Sequence, residues 1–233
     1  MPLSLCDRLP DVAAQDLVAG FAPPPHFSHV SFESYRPDPY YPGQAAAVAG
    51  ARAFVAAPAQ VKKRGWLRKA TPAEVRPGIY LDGGFGVGKT HLLASIWHAT
   101  EGRKAFGTFV EYTHLVGALG FAGAVEALSD RVLVCIDEFE LDDPGDTVLM
   151  SSLLMGLTER GVRLAATSNT LPDALGEGRF AADDFLREIQ GLSAHFDVLR
   201  IDGVDYRHRG VPKAPPALSE QEVSALVDSA PGA

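Results

Sequence analysis

Cysteine is scarce, basic residues are in deficit, and no long apolar run occurs in this chain of 233 residues. Cys6 sits in the opening segment and Cys135 inside the apolar run VLVCID, so no bridge between them is expected. Such sparse cysteine usage suits a reducing compartment. Lys and Arg number 21 against 29 Asp and Glu, a net charge of −8. That balance argues against a nucleic-acid coat protein, which needs clustered cations to neutralise phosphates. No run reaches the roughly 18 uncharged apolar residues of a membrane-spanning helix. The start, MPLSLCDRLPD, meets Asp7 and Pro10 too early for a secretory signal. A soluble cytoplasmic protein is the expectation. His91, His98, His114, His195 and His208 show no zinc spacing with cysteine partners, so no structural metal is assigned. Neither Ser168 nor Ser193 lies in a nucleophile elbow, and no catalytic triad is supported.

What is present is enough apolar material for a core: 46% of residues are hydrophobic and 21% charged, which excludes wholesale disorder. Length suggests one large domain, or one with a small appendage. Residues 1–42 form a Pro-rich lead-in, expected to pack poorly because its prolines forbid long helices. Alanine content predicts a helix over 43–57, ended by Pro58. The loop that follows carries Lys62, Lys63, Arg64, Trp66, Arg68 and Lys69. It reads most simply as solvated, with contact to anionic lipid headgroups, acidic protein or nucleic acid as the functional alternative.

From residue 78 short apolar runs alternate with longer helical stretches. Strands are predicted at 79–81, 105–112, 131–137, 162–168 and 197–201. Helices are predicted from Gly88 to about Thr100, loosely over 113–129, from Pro144 onward, and over 183–194. The third of these helices is well marked: Asp143 makes an N-cap, Pro144 takes the first helical position, and Met150, Leu153, Leu154 and Leu157 share one face. Gly161 can close that helix in a left-handed conformation. Alternation of this kind implies a parallel sheet covered on both faces. After Arg209 comes a Pro-rich tail, 211–233, with a short helix opened by Ser219 and Glu222.

The strongest motif is GGFGVGKT, residues 83–90, directly after a predicted strand and before a helix. Gly83, Gly84, Phe85, Gly86, Val87 and Gly88 form a loop whose glycines allow the backbone to wrap a phosphate. The helix that follows, with Lys89, Thr90 and His91 in its first turn, points free N–H groups and its positive dipole end at the anion. Lys89 is placed to reach the β/γ-phosphates, and Thr90 to hold Mg²⁺. Downstream, VLVCIDE ends a buried strand with Asp137 and Glu138. Asp137 is expected to serve the metal, while Glu138, adjacent but pointing elsewhere, polarises an attacking water. Asn169 closes the fourth strand in ATSN, where its amide can hold the lytic water or the γ-phosphate, or act only as a turn residue.

Together these features resemble the AAA+ ATPases, and within them the ZapE-like cell-division ATPases with their mitochondrial AFG-type relatives. The residues that carry the resemblance are IYLDGGFGVGKTHLLASIWH, CIDEFELDD, LAATSNTLPDAL, the FLREI helix and IDGVDYR, spread over roughly 24–210. The resemblance implies an α/β P-loop NTPase fold, three αβα layers around a five-stranded parallel sheet ordered 5-1-4-3-2. It implies ATP as ligand with Mg²⁺, a core over 43–210, and hydrolysis at interfaces of a homo-oligomer. It places Phe32, Tyr35 and Gln44 near the adenine. It also asks for an arginine acting on a neighbouring subunit, for which Arg179 is the first candidate and Arg187 the second. The helical lid that such proteins carry after the fifth strand has no counterpart in the short tail.

The expected function is thus ATP hydrolysis that does mechanical work on a protein partner, in cell division by resemblance. Two alternatives stay open. One is a helicase-loader-like module on single-stranded DNA, against which the acidic charge speaks. The other is a nucleotide-gated adaptor that binds ATP and barely hydrolyses it.

Overall fold

The computed structural model describes residues 13–57, 76–140, 144–170, 191, 193–208 and 219. Five strands lie in one sheet: β1 (Gly78–Gly83), β2 (Lys104–Thr108), β3 (Leu133–Asp137), β4 (Arg163–Ser168) and β5 (Phe196–Ile201). Their order is β2-β3-β4-β1-β5 and every pairing is parallel. Read from the other edge, this is the expected 5-1-4-3-2. Register aligns Asp82 with Ser168 and Thr108 with Asp137. The loop after β1 and the polar residues ending β3 and β4 therefore emerge on one rim.

Strand side chains alternate between the faces, and each face holds its own core. In β3, Val134 and Ile136 join Tyr80, Leu164, Ala166 and Phe196 in one cluster. Leu133 and Cys135 join Ile79, Leu81 and Ala165 in the other. The first cluster is covered by α1 (Ala14–Ala19), α4 (Phe109–Leu128) and α5 (Pro144–Glu159), which supply Val18, Tyr112, Leu128, Leu153, Leu154 and Leu157. The second is covered by α2 (Pro42–Ala56) and α3 (Lys89–Ala99), through Ala47, Ala51, Leu92, Leu93 and Ile96. Helix α5 buries the face that its spacing marks out, and it ends as anticipated. Gly161 has φ 84°, its N–H donates to Thr158 O, and the Val162 N–H reaches back to Leu157 O.

Two expectations need correction. The second strand stops at Thr108, four residues early, because Thr108 and Glu111 build a reciprocal capping box. The Thr108 hydroxyl accepts from the Glu111 N–H, and the Glu111 carboxylate accepts from the Thr108 N–H. Phe109, Val110 and Tyr112 favour strands by type, yet they open α4. The helix is then interrupted at Gly120, whose φ of 70° and ψ of 165° are not helical.

The lead-in, expected to pack poorly, is fastened along its described length. Phe21 meets Tyr112 edge-on at 5.0 Å, and its carbonyl accepts from Phe106 N. Phe32 and Tyr35 are buried beside α2 and α3. Proline restricts the backbone to extended forms but leaves side chains free to enter a core. Cys6, the basic stretch 62–69, Asp143, most of the 183–194 helix, Arg179, Arg187 and nearly all of the tail lie outside the described residues.

Replacing Leu154, which is 1% exposed, by Ala is expected to cost about 2–5 kcal/mol in urea denaturation. Thr108→Ala, which removes the cap alone, is expected to cost about 1 kcal/mol.

Candidate nucleotide site

The chain leaves β1 at Gly83 and enters α3 at Lys89 through a loop that only glycine permits at its key points. Gly86 and Gly88 have φ of 67° and 93°. Gly88 is the N-cap of α3 and offers no side-chain oxygen to the first turn. The N–H groups at that end therefore have no capping partner from the N-cap side chain, unlike those of α4. Loop carbonyls are held from outside. The Tyr35 hydroxyl donates to Val87 O at 2.8 Å, and Tyr206 N–H donates to Gly86 O at 2.9 Å. The Lys89 ammonium donates to Gly83 O at 2.8 Å and Gly84 O at 2.6 Å.

Two further strand ends, those of β3 and β4, meet this loop. Lys89 Nζ also donates to Asn169 Oδ1, 2.8 Å away past the end of β4. The Asn169 amide in turn donates to Glu140 at 2.9 Å. Thr90 Oγ1 donates to Asp137 Oδ1 at 3.1 Å, and the buried Thr167 hydroxyl donates to the same oxygen. Glu138 follows with φ 54°, the one non-glycine residue with positive φ among those described. Its N–H donates to Thr167 Oγ1 at 3.0 Å, and its side chain is exposed. Lys89, Thr90, Asp137, Glu138 and Asn169 all line a cleft of about 480 Å³, within the usual range for small-ligand sites.

The other expected residues fall as follows. Phe85, Gly86, Val87, Gly88, His91, Gln44 and Tyr35 line the cleft too. Gln44 is buried with its amide committed: Nε2 donates to Asp202 O at 2.9 Å and Oε1 accepts from Asp38 N at 2.8 Å. His91 Nε2 lies 2.9 Å from Ser34 Oγ and 3.1 Å from Ser31 O, fixing the lead-in to α3. Phe32 sits in the core under the Arg52 guanidinium. Thr167, Glu140 and the Asp205–Arg207 stretch are the members that sequence reasoning missed as site residues. Only their places in ATSN, DEFE and VDYR marked them.

Burial dominates the electrostatics. It pushes the Asp137 carboxyl above its ordinary range, opposed by hydrogen bonds from Thr167 and Thr90. Burial likewise raises Asp82, against the nearby Arg200 and Lys89. It lowers Lys89, against Asp82, Asp137, Glu140 and Glu138. The donor set suits a polyphosphate with a hard divalent ion. One ammonium and an uncapped helix end face the anion, while Thr90 and Asp137 offer oxygen ligands side by side.

A carboxyl held above its unfolded value binds protons more readily in the fold. Its contribution to stability is therefore largest below pH about 4 and is lost as pH rises through the raised value. Asp137→Asn is expected to be more stable than the parent near pH 7, with the difference vanishing near pH 4. Urea midpoints measured across that range check it.

The family model for AFG1-like ATPases matches residues 12–229. The cell division protein ZapE of Escherichia coli is 34% identical over 158 residues, covering 63% of this chain and 41% of ZapE. Lactation elevated protein 1 homolog B of Danio rerio is 28% identical over 155 residues, covering 57% and 31%. The chain thus spans less than half the length of these relatives. Among solved structures, DnaI superposes with a TM-score of 0.58 at 18% identity, covering 78% of this chain and 93% of that one. AMPPCP-bound DnaA from Aquifex aeolicus gives 0.53 at 14% identity, covering 87% and 61%. These likenesses establish the P-loop AAA+ fold, and with the family match over nearly its whole length the chain belongs to the AFG1-like ATPases.

Proposed function

We propose that this chain binds ATP with Mg²⁺ and hydrolyses it, coupling turnover to work on a protein partner. The observation that carries the reading is the convergence of Lys89, Thr90, Asp137, Glu138 and Asn169 on one cleft at the carboxyl ends of β1, β3 and β4. Lys89 would exchange the carbonyls of Gly83 and Gly84 for the β/γ-phosphates, an exchange of neutral acceptors for charged ones. Thr90 and Asp137 would hold Mg²⁺, which when bound neutralises charge on the phosphate oxygens. Glu138, exposed to solvent and free of the Thr90–Asp137–Thr167 bonds, would accept the proton of the attacking water. Asn169, already on Lys89, would orient the γ-phosphate or that water.

The nucleoside would lie toward the end lined by Tyr35, Gln44, Phe85 and Tyr206. Since the Gln44 amide is engaged with Asp38 and Asp202, Gln44 would shape this end rather than read the base. His91 would do the same through Ser31 and Ser34. Membership of the family supports assembly into a homo-oligomer, in which Arg179 or Arg187 would serve a neighbour's phosphate. The likeness to ZapE supports a role in cell division. Among the described residues no helix is long and apolar enough to cross a membrane.

Lys89→Ala is expected to abolish measurable ATP binding by calorimetry. Glu138→Gln is expected to keep binding and to lower turnover about 100- to 10,000-fold, read as phosphate release. If the parent and Glu138→Gln turn over equally and negligibly while both bind ATP, the nucleotide-gated adaptor replaces the hydrolase.

A further inference from the structure

The stretch VDYR, just after β5, has no part in the hydrolytic roles above, yet it is fastened to the phosphate loop. Tyr206 N–H donates to the Gly86 carbonyl. The Asp205 carboxylate stands against the α-carbon of Gly86, where an added methyl group would collide with it. Gly203, a little upstream, packs against the Gln44 amide and Val87. The exit of β5 and the apex of the loop thus meet at Gly86, whose left-handed φ is itself closed to most residues.

A carboxylate in this place is a liability. The loop is shaped for an anion, and a second negative charge at its apex opposes the first. Arg207 answers that charge. Its Nε lies 2.9 and 3.0 Å from the two Asp205 oxygens, a terminal nitrogen lies 2.6 Å from Oδ2, and its backbone N–H donates to Oδ1 at 2.9 Å. The Arg207 side chain is 71% exposed against 17% for Asp205, and Tyr206 and Arg207 line the cleft. The guanidinium therefore lies on the solvent side of the carboxylate. An exposed ion pair adds little to stability by itself, so the value of this one lies in what stands next to it.

We propose that Asp205 and Arg207 are positioning residues of the nucleotide site: Asp205 buttresses the loop apex at Gly86, and Arg207 cancels its charge so that bound phosphates do not meet it. The inference rests on the nucleotide reading above. It assigns Arg207 to the carboxylate beside it and not to the nucleotide, and the two assignments separate experimentally.

The test is ATP titration of the full chain and of Arg207→Gln, Asp205→Asn and the double variant, at about 0.05 M and about 0.5 M salt. Arg207→Gln is expected to weaken ATP binding about 10-fold or more at low salt, with a severalfold smaller loss at high salt. Asp205→Asn keeps the shape of the side chain against Gly86, removes the opposing charge and leaves Arg207 cationic, so it is expected to tighten ATP binding at low salt. Adding it to Arg207→Gln, which leaves the pair neutral as in the parent, is expected to restore affinity to within about threefold of the parent. Urea midpoints of all four proteins show whether the fold is unchanged. A double variant as weak as Arg207→Gln, with a loss that salt does not reduce, overturns the proposal and makes Arg207 a direct ligand. A parent chain with no affinity for ATP removes the nucleotide reading itself, and this inference with it.

Discussion

The position of one half-buried ammonium organises the rim of the sheet. Lys89 comes from the first turn of α3, takes two carbonyls from the loop that precedes it, and reaches across to Asn169 beyond β4. Burial lowers its proton affinity, and the acids around it oppose that effect. Neither side of the balance is comfortable alone. An unpaired ammonium in this place would lose its proton more readily, and Asp82 and Asp137 without a cation nearby would be harder still to ionise. The strands and the loop between β1 and α3 hold these opposite charges near one another. Strands β1, β3 and β4 are almost wholly buried, and a rigid frame is what such an arrangement requires.

The two faces of the sheet contribute unequally to this frame. On the face of α2 and α3, the core continues directly into the site: Val87 and Tyr35 belong to the same cluster as Leu92 and Leu93. On the opposite face, α4 and α5 bury Tyr112, Leu154 and Leu157 in the cluster that also holds Phe139, the neighbour of Glu138. The phosphate loop is thus a continuation of one hydrophobic layer, and Glu138 stands beside the other. The lead-in earns its place there by supplying Tyr35 and Ser34 to the loop and to His91.

Much of this was legible in the order of residues, for physical reasons that differ from place to place. The phosphate loop could be read because left-handed backbone demands glycine, and Gly86 and Gly88 adopt it. Asp137 and Glu138 could be read because two acids at the end of an unbroken apolar strand must emerge at a sheet edge. Helix α5 could be read because its apolar spacing and closing glycine agree. The boundary between β2 and α4 could not, since strand-favouring side chains at Phe109 and Tyr112 are outweighed by the reciprocal hydrogen bonds of Thr108 and Glu111. Thr167 and Glu140 stayed hidden as site members because their partners, Asp137 and Asn169, lie 29 or 30 positions away. Only the folded register joins them. The packing of the lead-in was missed because proline content reports backbone freedom and says nothing of where Phe21 and Phe32 come to rest.

The backbone at Glu138 carries one more consequence. A left-handed residue that is not glycine is held against a steric cost of order 1 kcal/mol or more. Here the hold comes from the neighbouring strand, through the hydroxyl and carbonyl of Thr167 on the amides of Glu138 and Phe139. The direction in which this carboxylate leaves the sheet is therefore written into main-chain torsion before any ligand arrives, and it is β4 that keeps the spring wound.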